Sequence, residues 1–160
     1  MSTPISIVRS VPLRCDALVP LVRAQLQSLE EASERGTVVL GATIPGDGRV
    51  TVPVRLQVGY PPPKTPRYRV TIAARSAPAL YPRFRGELEL AEAGTAATKL
   101  TLSGAYDVPL GIAGRAFDAS AARGVAPRGL EDLVDRLVAD VVATVAHASD
   151  AAYRGSRRSE

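Results

Sequence analysis

Hydrophobic and polar positions change period twice along this chain, dividing it into a helical stretch, a strand-rich middle and a helical end. Residues 5–8 form a short β-branched run between Pro4 and Pro12, which predicts a first strand. Leu18, Val19, Val22, Leu26 and Leu29 then recur at helical spacing, with Asp16 placed to cap the N-terminus. Pro20 falls near the first turn, where proline is tolerated, and Gly36 is placed to stop the helix.

From Thr37 the period becomes two. Residues 37–44 predict a strand, and 45–48 a glycine-containing turn. Val50, Val52, Val54, Leu56 and Val58 alternate with Thr51, Pro53, Arg55 and Gln57, as in a strand with one buried face. Pro53 predicts an edge position or a bulge there. Four prolines make residues 60–66 a stiff loop. Tyr68, Val70, Ile72 and Ala74 lie opposite Arg67, Arg69 and Thr71, and residues 76–82 read as a loop. Phe84, Gly86, Leu88 and Leu90 lie opposite Arg85, Glu87 and Glu89. After a turn at 92–95, Leu100, Leu102, Gly104 and Tyr106 lie opposite Thr101, Ser103 and Ala105. Alternating strands joined by short connections predict an antiparallel meander.

In the last third, Leu130, Leu133, Val134, Leu137, Val138, Val141 and Val145 mark one face of a helix, with Glu131, Asp132, Asp135, Arg136 and Asp140 on the other. Residues 111–122 predict a shorter helix before it, and Pro127 either starts the main helix or kinks it. Residues 1–150 are expected to form one domain, and 151–160, with Arg154, Arg157 and Arg158, a basic, flexible tail.

Composition narrows the picture. At 160 residues the chain has the size of one domain with a sizeable core. Aromatics are 4% and Trp is absent, so the core is aliphatic and rings for stacking nucleic-acid bases are scarce. A single Cys, Cys15, and a single His, His147, exclude an internal disulfide and a zinc or iron site of ordinary type. No basic leader or long apolar run is visible, so a cytoplasmic location is expected, with no transmembrane segment.

One set of residues carries a family resemblance. Residues 84–90, 98–106, 109–111, 114–115 and 117–118 are similar to the closing strands and helix start of bacterial polyketide cyclase/dehydrase-type proteins. These belong to the START-like, or Bet v 1-like (SRPBCC), superfamily. The resemblance implies an α+β helix-grip fold: a curved antiparallel sheet wrapped around a long C-terminal helix, with an apolar cavity between them. It implies binding of a lipid, polyketide or similar small hydrophobic molecule, without a cofactor. On that reading the lining is Tyr68, Val70, Ile72, Phe84, Leu88, Leu102, Tyr106, Phe117, Leu133, Leu137 and Val141. The chain departs from the pattern at residues 124–129, where two glycines and Pro127 leave open whether the C-terminal helix is continuous.

Catalytic chemistry is thin. His147 sits far along the predicted helix, where it suits the last carbonyls better than a reaction. Cys15 precedes a helix without a nearby His and reads as a plain thiol. Residues 111–114 lack both the P-loop and the dinucleotide glycine patterns, so they read as a helix start. Tyr68 and Tyr106 either orient a ligand or fill the core with hydroxyls bonded to backbone. Asp107 is either an acid or base at a pocket mouth or a turn stabiliser. Lys64, Arg67, Arg69, Arg75, Arg83 and Arg85 occur with no acid among them. Either Lys64, Arg67, Arg69 and Arg85 meet an acidic partner or anionic lipid, or the strand arginines pair with Glu87 and Glu89 on a solvent face. Hydrophobic-ligand binding is the function expected. The alternatives are a polyketide cyclase or dehydratase, and a module that binds a protein partner through the basic sheet face.

Overall fold

The computed structural model describes residues 2–44, 48–76, 83–107 and 119–156. In chain order the elements are β1 (Ser2–Val11), α1 (Cys15–Glu34), β2 (Val39–Ile44), β3 (Gly48–Gly59), β4 (Arg67–Ala74), β5 (Arg83–Glu92), β6 (Thr98–Asp107) and α2 (Ala119–Ser156). The strands form a six-stranded sheet in the order β1-β6-β5-β4-β3-β2, every pair antiparallel. The expected meander is therefore present, with β1 added beside its last strand.

Alternation places the core. Tyr68, Val70, Ile72 and Ala74 of β4 are buried, as are Phe84, Leu88 and Leu90 of β5 and Leu100, Leu102 and Tyr106 of β6. They share one face of the sheet, which α1 covers with Leu18, Val22 and Leu26, and α2 with Leu130, Leu133, Val134, Leu137 and Val141. Burial of each such aliphatic side chain contributes about 1.5–3 kcal/mol before entropy is counted.

Pro53 sits where β3 changes neighbours. Its partner Val39 is the first residue of β2, so beyond Pro53 the strand has lost β2. The exposed amides are taken up by α1 instead: Leu56 N–H donates to Ser33 Oγ at 3.0 Å, and Val58 N–H donates to Glu30 Oε1 at 2.9 Å. Ser33 and Glu30 are three apart, one helical turn, which brings both onto the same edge. Arg75, just after β4, closes this junction by donating to the Ser33 and Glu34 carbonyls at the C-terminus of α1. Gly36 ends the helix in the left-handed region at φ 78°, as its position predicted.

Two local expectations are corrected, and the C-terminal segment gains detail. Asp16 is not the N-cap of α1: Arg14 holds that position without a side-chain bond, and Asp16 pairs with Arg14 inside the first turn. Pro4 lies within β1 rather than bounding it, which an edge strand permits. The long helix is not interrupted: α2 runs through Pro127 and Gly129. A Cβ on Gly129 would lie 3.3 Å from Leu40 Cβ and 3.5 Å from the Gly41 carbonyl, so this glycine admits the helix close to β2. Finally, residues 151–156, read from sequence as tail, continue α2. The segment expected as a shorter helix lies largely outside the described residues.

Gly86 and Gly104 face each other across β5 and β6. A Cβ on Gly104 would stand 2.5 Å from Gly86 Cα and even closer to the Arg85 carbonyl; one on Gly86 would stand 2.6 Å from Phe84 Cζ and 2.9 Å from Gly104 Cα. Backbone meets backbone here, which no larger residue allows. Gly86→Ala or Gly104→Ala is expected to cost about 3 kcal/mol in urea unfolding, the upper range for overpacking. Gly94→Ala, with open space but a φ of 85°, should cost only about 1 kcal/mol.

Candidate functional site

Register converts the inward residues into rows across the sheet. Ile72, Phe84, Tyr106 and Thr3 form one row, and Tyr68, Leu88, Leu102 and Ile7 another. Between them runs Val70, Gly86, Gly104 and Ile5. The middle of the face thus has two adjacent positions without side chains, with the Phe84 ring turned over Gly86.

The helix α2 lies over this surface and is held at the margins. Its backbone comes nearest to β2, β1 and α1 among the described residues. Arg9 of β1 pairs with Asp135 at 2.6 Å. Arg136 donates to the Val39 carbonyl of β2 at 3.0 Å, and Gln25 of α1 donates to Asp140 at 2.9 Å. Both edges of the sheet therefore reach the same turns of one helix, a grip in the literal sense.

Ten of the eleven sequence-predicted lining residues are brought together. Tyr68, Val70, Ile72, Phe84, Leu88, Leu102, Tyr106, Leu133, Leu137 and Val141 all expose between 1 and 7% of their surface. Phe117 lies outside the described residues. All the ten except Tyr106 belong to one contiguous apolar cluster. The Tyr68 hydroxyl donates to the Val19 carbonyl of α1 at 3.4 Å, so that phenol is used within the fold.

The sequence reading missed a polar cluster beside this core. Tyr60 stacks edge-on against Tyr68, with ring centroids 6.4 Å apart, and donates its hydroxyl to Glu30 at 3.2 Å. Arg23 lies 5.1 Å over the Tyr60 ring and donates to the Pro61 carbonyl at 3.1 Å. Arg23 and Glu30 are seven apart, two turns of α1, and that spacing was the available signal.

The remaining candidates separate. Cys15 is half-buried, and burial, then Glu92 and Asp16, push its thiol up, away from the reactive thiolate. It lines a groove of about 300 Å³ with Arg14, Asp16, Glu92, Gly94, Thr95 and Ala97. His147 is exposed on α2 and bonds the Ala143 carbonyl through Nδ1 at 2.7 Å, well before the helix ends. Asp107 is the exposed last residue of β6, opposite Arg83. Arg67 stands between Glu89 at 3.3 Å and Glu87 at 4.0 Å, while Arg69 and Arg85 are exposed on the same outer face. Lys64 is exposed in the proline-rich loop at φ 75°. Among the described residues no group of three His, Cys, Asp or Glu stands close enough to hold a metal, and no helix is long and apolar enough to cross a membrane.

No family model matches the chain, and no curated protein matches it in sequence. Solved structures match its fold. It is similar to the protein TTHA0849 from Thermus thermophilus, at 15% identity and a TM-score of 0.57, over 89% of this chain and 99% of that one. It is similar to Ara h 8.0201, at 12% identity and a TM-score of 0.54, again over 89% and 99%. A conserved protein from Geobacillus kaustophilus matches at 13% identity and a TM-score of 0.55, over 90% and 97%. The fold is the helix-grip fold that the resemblance implied, a curled antiparallel sheet with a long C-terminal helix.

The Tyr60 cluster makes stability depend on alkaline pH. Burial first, then the Glu30 carboxylate, push the Tyr60 phenol far above its ordinary value, against a smaller opposing pull from Arg23. The folded chain then holds this proton more firmly than the unfolded chain. Its contribution is complete below the unfolded value of about 10 and is lost as pH rises above it. Urea midpoints of the wild type are expected to fall toward those of Tyr60→Phe above about pH 10. A difference between the two that stays constant to about pH 11 would contradict this.

Proposed function

We propose that this chain binds a small hydrophobic molecule between the concave face of the sheet and α2. One observation carries the reading. The centre of that face, from β4 to β6, is apolar and includes two adjacent positions without side chains. The helix above it is fastened to the sheet margins rather than to the centre. Such a surface offers transfer energy and shape but little chemistry, since the inward residues named above supply two phenols and no carboxylate, imidazole or amine. That balance favours binding over cyclisation or dehydration.

The walls lie against one another in this structure, so a ligand enters by moving α2 outward from the centre. The fastenings tolerate this: exposed ion pairs such as Arg9–Asp135, with side chains 35% and 55% accessible, contribute typically under about 1 kcal/mol. A ligand burying about 500 Å² of apolar surface gains about 12 kcal/mol gross at about 25 cal/mol per Å². With association costing at least about 4 kcal/mol, micromolar affinity remains.

Native mass spectrometry of the purified protein, followed by organic extraction, tests the proposal. A stoichiometric apolar passenger is the expected result. A protein that arrives empty and then binds no fatty acid, sterol, quinone or polyketide in a panel would overturn it.

A further inference from the structure

The hydroxyls of three tyrosines meet different fates. Tyr60 donates to Glu30, and Tyr68 donates to the Val19 carbonyl. Tyr106 is as buried as the core, at 2% exposure, yet its hydroxyl has no hydrogen-bond partner among the described residues. Leaving a phenol unpaired in an apolar interior is costly. Among the described residues no fully enclosed side-chain nitrogen or oxygen lacks a partner. The Tyr106 hydroxyl therefore meets space that a water-sized molecule can enter, although the ring beneath it is closed off.

Its position points the same way. Tyr106 stands on the concave parity of β6, in register with Phe84 on one side and Thr3 on the other. The next inward position along its strand is Gly104, packed directly against the Gly86 and Arg85 backbone. It also lies outside the contiguous apolar cluster that contains the other nine described lining residues. A donor with no partner among the described residues, at the margin of a packed core, is suited to anchor a ligand.

We propose that Tyr106 is the polar anchor of the site, donating its O–H to a carbonyl oxygen on an otherwise apolar ligand. This rests on the binding reading above and specifies it: the ligand class is ketones, quinones or esters rather than plain hydrocarbons. Tyr68, although in the adjacent inward row, does not share the role because its hydroxyl is already committed to α1. A site built around one donor discriminates against an isostere that lacks the acceptor.

The test uses 2-acetylnaphthalene and 2-ethylnaphthalene, which match in shape and differ in the carbonyl, with affinities measured by equilibrium dialysis. The wild type is expected to bind the ketone about tenfold more tightly, the effect of one hydrogen bond. Tyr106→Phe should bring the ketone down to the hydrocarbon's affinity and leave the hydrocarbon unchanged. Tyr68→Phe should preserve the tenfold preference. Equal binding of both probes to the wild type, or a preference that survives Tyr106→Phe, overturns the anchor but leaves apolar binding standing. Binding of neither probe to the wild type overturns the binding reading and the anchor with it. A Tyr106→Phe protein that fails to fold shows the hydroxyl to be structural, and that too overturns the anchor.

Discussion

The fold depends on how β3 is satisfied after it loses β2. An antiparallel strand with one bare edge exposes amide donors that either recruit another chain or must be covered. Here the cover is a helix. Ser33 is fully buried and accepts from Leu56, while its own hydroxyl donates to the Glu30 carbonyl. The Glu30 carboxylate takes both Val58 N–H and the Tyr60 hydroxyl. Through these few bonds the position of α1 on the sheet is set, and much else follows. Gln25 on the same helix meets α2, the Val19 carbonyl receives Tyr68, and Arg75 from the end of β4 seals the helix end. Loss of the Ser33–Leu56 bond would strand a buried amide, a larger cost than the bond's own net value.

With α1 placed, the rest of the geometry is a matter of bending a sheet so that both edges reach one helix. Strand twist alone supplies part of that curvature. The paired glycines at 86 and 104 remove the side chains that would keep β5 and β6 apart, just where the concave face is deepest. Gly129 does the corresponding work on the helix, where α2 nears Leu40 and Gly41. At each of these positions the space a side chain would take is filled by neighbouring backbone or side chain.

Much of this was legible from alternation and helical period. The strands from β3 to β6, the core stripe of α2 and the burial of ten residues expected to line a cavity follow from period alone, because burial of one face is what creates the period. The errors have a common character. Asp16 misleads because a carboxylate two residues past the cap looks the same in sequence as one at the cap itself. The glycine at 129 reads as a helix breaker because the β2 surface it serves is about ninety residues away in the chain. Hydroxyl partners were equally hidden: Tyr68 and Val19 are 49 residues apart, and no local pattern distinguishes a satisfied phenol from an open one. Periodicity reports which side a residue faces. It does not report what waits there.

The two faces of the central strands show why this matters for function. On the outer face, the run of basic residues that stood out in the sequence is partly absorbed by the fold. Arg67 lies between two glutamates, and Arg75 is committed to helix carbonyls. Exposed pairs of this kind contribute little individually, but they leave the surface mixed in sign rather than uniformly cationic. On the inner face the situation is reversed: the composition is bland, and the Tyr106 hydroxyl, without a partner among the described residues, is informative because most of its neighbours are apolar. A charge run in a sequence is conspicuous and usually solvated or paired. A phenol on a mostly apolar face is inconspicuous, yet where water is scarce a hydrogen-bond donor weighs more than the same group on the surface.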